Sequence, residues 1–358
     1  MKIYSFNKLS FKLELNDNIN NSIVNNKLFT LINNKKKDID IVQHKWDSAK
    51  KISNDYEYIY TSSNYNKNIS SILPVSRSFF KLREIIYDYR LNPCDKIGCI
   101  AEAPGGFIQT ILYFCKERNM TIDKIHTITL IGNHRDIPYW NPIIINNPKI
   151  NICNGEDGTG NLYNLCNILN FIKSSGKSSC LLVTADGGFD YTKDFEQEIS
   201  SYKLLYSEIY VALHIQEKQG NFVLKVFDLF NYQTIQLIYI LYSCYSLIEF
   251  YKPLTSRLSN SEKYIICSNF LGMKEDVRKT LIDQFNTCEN LKINVPQSFI
   301  DDINKYNETF VCKQIEIITK VLSCKTDINR PTKEQILTAK RWCELYKLPI
   351  NPKCIYLK

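Results

Sequence analysis

The sequence predicts an α/β fold: a mostly parallel sheet covered by helices on both faces, with helical extensions at each end. Three observations carry this. Short apolar runs alternate with helix-length segments from about residue 96 to residue 245, the pattern of repeated βα units. Gly- and Asp-rich turns follow several of these runs directly, at 104–106, 154–160 and 186–188; open α/β sheets bind their ligands at such turns. The last two runs, 246–253 and 262–270, are joined without an intervening helix, which calls for one antiparallel insertion at the end.

The elements follow in chain order. Residues 1 to about 40 are polar and Asn-rich, with a basic knot at Lys35, Lys36 and Lys37 that reads as a solvated loop. From Asp40 to Tyr60 the spacing of Ile41, Val42, Trp46, Ala49 and Ile52 suits an amphipathic helix. "SRSFFKLREIIYDYR" (76–90) is a second helix, with Phe79, Phe80, Ile85 and Ile86 as its apolar positions and Ser76 as its N-cap. Strands are expected at 96–103, 124–132, 149–155, 179–188 and 220–228, then at 246–253 and 262–270. Helices are expected at 107–118, 162–174, 194–216 and 232–245. Residues 275–358 read as helices, among them "TKEQILTAKRWCELYKL" (332–348), with no Gly/Ser linker before them. The domains expected are therefore an N-terminal extension (1–75), a core domain (76–272) and a C-terminal helical extension (273–358).

Composition narrows the class. Hydrophobic residues make up 44% of the 358, enough for a substantial core, yet no run of apolar residues is long enough to span a membrane. The start, "MKIYSFNKLSFKLELND", has scattered charges and no apolar block, unlike a signal peptide. The 13 cysteines include no Cys-x-x-Cys pair, which points to reduced thiols in an intracellular, cytoplasmic setting, with the nucleus left open. The four histidines are scattered, so no metal site is expected. A net charge of +8 favours an anionic partner, although an AT-rich coding bias accounts for lysine and asparagine equally well.

Four stretches carry candidate chemistry. "AEAPGGFIQ" (101–109) joins a strand to a helix, and Gly105 and Gly106 clear the way for a ligand to reach backbone amides at the helix start. It is neither Gly-x-Gly-x-x-Gly nor a P-loop. "NGEDGTGNL" (154–162) projects Asp157, a carboxylate able to accept from an adenine amino group or a ribose hydroxyl. "TADGG" (184–188) sets Asp186 at the same sheet edge. "GNFVLKVFDLF" (220–230) places Lys225 among Phe222, Val223, Leu224, Val226 and Phe227. A buried ammonium costs several kcal/mol unless it is paired or deprotonated, so either this is an edge strand or Lys225 has a task. Asp186 and Glu262 belong to neighbouring strand ends and are its expected partners. Taken alone, each of the three turns would pass for an ordinary one.

The layout is that of a Rossmann-like methyltransferase, and pattern alone also allows a dehydrogenase. In order, "SRSFFKLREI", "EAPGGF", "TADGG", "FVLKVF" and "SRLSNSEKYIIC" resemble the FtsJ-like family of RNA ribose 2′-O-methyltransferases over about residues 75–270. The resemblance implies a Lys-Asp-Lys-Glu catalytic tetrad at Lys81, Asp186, Lys225 and Glu262. It implies S-adenosylmethionine as cofactor, bound around Ala103, Pro104, Gly105, Gly106, Phe107, Asp157 and Asp186. "HKWDSAKKISNDYEYIY" (44–60), the "GEDGTGNL" loop and "AKRWCELYKLPIN" (339–351) look more like the messenger-RNA cap-modifying branch of eukaryotes and large DNA viruses. A capped mRNA 5′ end is then the expected partner, with a further capping-machinery partner unassigned and no membrane. A ribosomal or transfer-RNA enzyme, and a non-catalytic RNA-binding subunit on the same scaffold, are the alternatives. Two family features are replaced: Cys99 or Ile100, with Glu102 slightly later, stands where the first strand usually ends in an acid, and Asn133 or Asp136 stands for the ribose-binding acid.

The expected chemistry makes Lys225 the base. A lysine can take a proton from a ribose hydroxyl only when neutral, which burial and a like charge from Lys81 would favour. Asp186 and Glu262 would orient the amines. Arg77, Lys252 and Arg257 are candidate phosphate contacts, with plain surface charge as the alternative.

Overall fold

The computed structural model describes residues 2–5, 14, 22–41, 43–189, 197–287, 291–323 and 330–358. Its strands are β1 (Lys2–Ser5), β2 (Asp95–Ile100), β3 (Ile122–Ile128), β4 (Ile150–Cys153), β5 (Cys180–Ala185), β6 (Gln216–Val226), β7 (Tyr245–Tyr251) and β8 (Lys263–Phe270). The helices begin with α1 (Asn26–Ile41), α2 (Gln43–Ile52), α3 (Ser78–Asp88) and α4 (Gly106–Arg118). They continue with α5 (Pro142–Ile145), α6 (Leu165–Ser175), α7 (Gln197–Ile215), α8 (Tyr232–Cys244), α9 (Glu275–Asp283), α10 (Gln297–Leu322) and α11 (Lys333–Leu345). The strands form one sheet in the order β1-β7-β8-β6-β5-β2-β3-β4.

The middle strands are apolar on both faces because helices cover both. Phe222, Val223 and Leu224 of β6 are all fully buried, and each such side chain contributes about 1.5–3 kcal/mol relative to exposure. β2, β3, β4, β5 and β6 pair in parallel, while β8 is antiparallel to both β6 and β7. Two consequences position the site. The chain leaves β2 toward β3 and β4, then returns to lay β5 on the other side of β2, so the crevice beyond these two strands is a topological switch point. Because β8 runs backwards, its first residues lie at the edge where the parallel strands end: Val226 pairs with Lys263 and Lys225 with Tyr264.

The expected βα alternation and the late antiparallel strand are present, as are the helices of the C-terminal region. Four local readings are corrected. The basic knot is no loop: it lies in α1, and Lys36 is buried with its ammonium on Asp228 at 2.7 Å. The helix expected from Asp40 to Tyr60 is divided between the end of α1 and α2, followed by a 3₁₀ turn at Glu57–Ile59. Arg77, not Ser76, is the N-cap of α3; the Ser76 hydroxyl bonds that of Ser78 at 2.6 Å. The strand drawn to residue 132 stops at Ile128, because Thr129 and Leu130 turn into a cleft wall. The four-residue β1, paired antiparallel with β7, and the short α5 were not expected. Residues 194–196 of the expected helix 194–216 lie outside the described residues.

Candidate active site

The turns after β2 and β5 and the end of β6 open into a cleft of about 920 Å³. Its walls include Lys81, Glu102, Ala103, Pro104, Asp186, Lys225 and Glu262. The four polar residues named by the family resemblance are thus brought together from α3, β5, β6 and the approach to β8. β6 is central, between β5 and β8, which removes the edge-strand reading of Lys225.

Lys225 donates to the Asp186 carbonyl at 2.7 Å and stands 3.4 Å from the Asp186 carboxylate. The same carboxylate accepts from the Tyr264 hydroxyl at 2.8 Å. Across the cleft Lys81 pairs with Glu262 at 2.8 Å, and the Ser256 hydroxyl donates to Glu262 at 2.8 Å. Lys252 donates to the Glu262 carbonyl from behind. Burial works against the Glu262 carboxylate, but Lys81, Lys225 and Lys252 together hold it down to about 2. Glu262 is therefore a fixed anion at any working pH.

The charge of Lys225 departs from the sequence expectation. Burial disfavours its ammonium, yet Asp186, Glu262 and Glu208 outweigh burial and hold its pKa above the ordinary lysine value. Lys81 is engaged by Glu262 instead of depressing Lys225. As it stands, the site keeps Lys225 protonated.

The cofactor candidates divide. Ala103, Pro104 and Asp186 line the cleft. Gly105, Gly106 and Phe107 lie behind that lining as the N-cap and first turn of α4. Gly105 adopts φ 108°, a left-handed conformation that glycine takes without strain. Phe107 is fully buried and donates its N–H to Glu102 at 2.6 Å. Asp157 is absent from the lining and turns into its own loop. It accepts from the Thr159 N–H (2.9 Å), the Thr159 hydroxyl (2.7 Å) and Asn164 (2.9 Å), and these bonds hold its carboxyl well below the usual range. What Asp157 shapes is the path of Gly160, Asn161 and Leu162, which do reach the cleft. A Cβ on Gly160 would meet the Thr129 carbonyl oxygen at 1.9 Å, so glycine lets the loops after β3 and β4 close on each other.

Of the residues that stand where the family has acids, Cys99 and Ile100 are fully buried, whereas Glu102 and Asp136 line the cleft and Asn133 does not. Burial, then the neighbouring Asp186, push Glu102 well above the usual carboxylate range, and its Oε2 has no hydrogen-bond partner among the described residues. Lys252, proposed for phosphate, is 1% exposed and committed to Asn260 and Glu262. Arg77 and Arg257 both grip the buried Glu57, at 3.4 and 2.7 Å. Arg77 also lines the cleft.

Sequence reasoning missed Glu208, Tyr264 and Asn161. The signal that singles out Lys225, a charge inside an apolar run, is present for Glu208 in "LLYSEIYVAL" (204–213). Asn161 and Tyr264 carry no comparable signal.

A methyl-donor cofactor fits these walls. Leu130, Ile137, Pro138 and Leu162 give the lining apolar surface that a purine can pack on, with Arg135 and Asp136 beside them in the chain. Among the described residues no group of three or more His, Cys, Asp or Glu is placed to hold a metal ion, and no helix is long and apolar enough to cross a membrane.

The FtsJ-like methyltransferase family profile matches residues 74–270. "Cap-specific mRNA (nucleoside-2′-O-)-methyltransferase 1" of Mus musculus is 31% identical over 278 residues, covering 70% of this chain and 32% of that protein. The proteins of the same name from Leishmania braziliensis and Danio rerio are each 27% identical. They cover 71% and 81% of this chain and 67% and 39% of their own lengths. The chain thus spans about a third of the mouse and two fifths of the zebrafish relative.

Proposed function

The chain belongs to the FtsJ-like methyltransferase family, and on that premise we propose that it methylates the ribose 2′-hydroxyl of RNA at the mRNA 5′ cap, with S-adenosylmethionine as the methyl donor. The observation that carries the reading is Lys225: a lysine on a central strand, at the switch-point crevice, gripped by Asp186 and facing a Lys81–Glu262 pair. The cap preference rests on relatives that carry that name.

When bound, S-adenosylmethionine supplies an electrophilic sulfonium methyl. Ala103, Pro104, Gly160, Asn161 and Leu162 would hold it. The protein's own part is to align the hydroxyl and remove its proton. Lys225 is the base, and it must first be neutral. The carboxylates around it keep it charged at rest, and a cation bound in the cleft favours loss of that proton. Asp186 orients the amine through its carbonyl, and Tyr264 fixes the Asp186 side chain. Lys81, held by Glu262, is placed to donate to the ribose oxygen.

The test is methyl transfer from labelled S-adenosylmethionine to capped and uncapped RNAs of one sequence, with Lys225→Ala and Lys225→Arg beside the wild type. Transfer confined to capped RNA and lost at least a hundredfold in both variants is expected, since arginine stays protonated. Equal transfer to uncapped RNA would redirect the reading to ribosomal or transfer RNA. Cofactor binding without transfer to either RNA would leave a non-catalytic scaffold.

A further inference from the structure

Behind Lys225 lies an acid outside the tetrad. Glu208 sits on α7 and is 2% exposed. Its Oε1 accepts from the Gly187 N–H at 3.1 Å. Gly187 belongs to the turn whose Asp186 carbonyl accepts from Lys225. A Cβ at Gly187 would stand 2.3 Å from Glu208 Oε1, so this contact depends on glycine. Glu208 and Lys225 also share the wall of a cavity of about 10 Å³, together with Glu198 and Asp228. That is about the room one water needs.

We propose that Glu208 governs the catalytic lysine: its hydrogen bond fixes the turn that Lys225 grips, and its charge sets how readily Lys225 gives up its proton. The inference rests on the methyltransferase reading above. Glu208 is a positioning residue, since it acts through Gly187 and Lys225 and lies behind the cleft lining.

The groups facing the pair are few. Lys225 meets Asp186 from the end of β5, Glu262 from the start of β8, Glu102 from the turn after β2 and Glu208 from α7. Its register partner is Tyr264. Glu208 meets Lys225, Asp186 and the Gly187 N–H, with Glu198 and Asp228 along the small cavity. Glu262 is a permanent anion, so its influence on Lys225 is constant. Glu208 differs: burial pushes it up to about 8, against the pull of Lys225 and the Gly187 N–H. It therefore changes charge within the range in which an enzyme works. An ionised carboxylate beside a lysine favours the ammonium, the form that cannot act as base. Removing that charge must move the onset of activity toward lower pH.

Two variants separate charge from geometry. Glu208→Gln keeps an oxygen for the Gly187 N–H and removes the charge. Glu208→Asp keeps the charge and shortens the reach. The measurement is the pH profile of kcat for methyl transfer to capped RNA. In Glu208→Gln the acid limb should move down by about one pH unit. In Glu208→Asp the limb should stay in place while kcat falls roughly ten- to a hundredfold. An unmoved limb in Glu208→Gln would overturn the inference while leaving the methyltransferase reading intact. A moved limb with full kcat in Glu208→Asp would overturn it equally. A wild type that methylates no RNA ribose would remove both.

Discussion

At the scale of single residues, the cleft shows that a polar side chain's partners decide its role more than its position in a motif does. Asp157 and Asn161 share one loop. Asp157 spends its carboxylate on Thr159 and Asn164, whereas Asn161 lines the cleft and accepts from the Tyr163 N–H at 2.9 Å. Asn161→Ala should therefore weaken binding of S-adenosylhomocysteine more than Asp157→Asn does, by roughly tenfold, about 1.4 kcal/mol, in a calorimetric titration. The reverse order would mean that Asp157 turns outward when ligand binds. Lys225 and Asp186 were legible because a charge in an apolar strand and an acid at a strand end are visible in one dimension. The carboxylates that keep Lys225 protonated were only partly so. Glu208 is 17 residues before Lys225 in sequence, and only the packing of α7 under the β5 turn brings the two together.

At the scale of elements, the N-terminal extension is part of the site's support. Lys36 of α1 donates to Asp228 at 2.7 Å and to the Ser261 hydroxyl at 2.8 Å, and Ser261 donates to Asp228 at 3.0 Å. Asp228 follows β6, which carries Lys225, and Ser261 directly precedes Glu262. One helix thus ties together the chain segments that present two of the four cleft residues. Burial opposes the Asp228 charge, but Lys36 and Lys263 hold its carboxyl below the usual range. Lys36→Met would leave Asp228 with Ser261 and with Lys263 at 3.9 Å. Removing one member of a buried pair costs about 3 kcal/mol, so the urea midpoint should fall and methyl transfer with it. An unchanged midpoint would show that α1 is not docked in solution. The sequence hid this helix because its lysine knot looks like solvent-facing charge, and the partner that buries Lys36 lies 192 residues away. The βα alternation was legible for the opposite reason, since each strand and its covering helix are neighbours in sequence.

At the scale of the whole molecule, the acids buried around the sheet make folding sensitive to pH in a definite direction. Burial raises Glu84 and Glu198 to about 7 and Glu208 to about 8. Each has an unfolded value near the ordinary 4.5. Between these limits the folded protein binds more protons than the unfolded chain, so stability falls as pH rises. His126 and His214, both lowered chiefly by burial, act the other way near their ordinary value of 6.5. There are two of them against four glutamates, since Glu102 is raised by burial too, and they are spent once the unfolded histidines have lost their protons. Lys263, lowered by burial to about 8, opposes the trend only above that pH, and Lys252, also lowered by burial, opposes it in the same sense. Glu262, held at about 2, loses its contribution only as pH falls from 4.5 through 2. The thermal midpoint should therefore be highest in mildly acidic buffer and drop by a few degrees from about pH 5.5 to about pH 8. Calorimetric scans across that range test this, and a midpoint that rises toward pH 8 would show the buried glutamates ionised at low cost. The drop matters for the chemistry because it runs against activity: Lys225 becomes a base only as pH rises. Glu208 takes part in both trends, so in Glu208→Gln the loss of stability toward pH 8 should shrink while the acid limb of activity moves down.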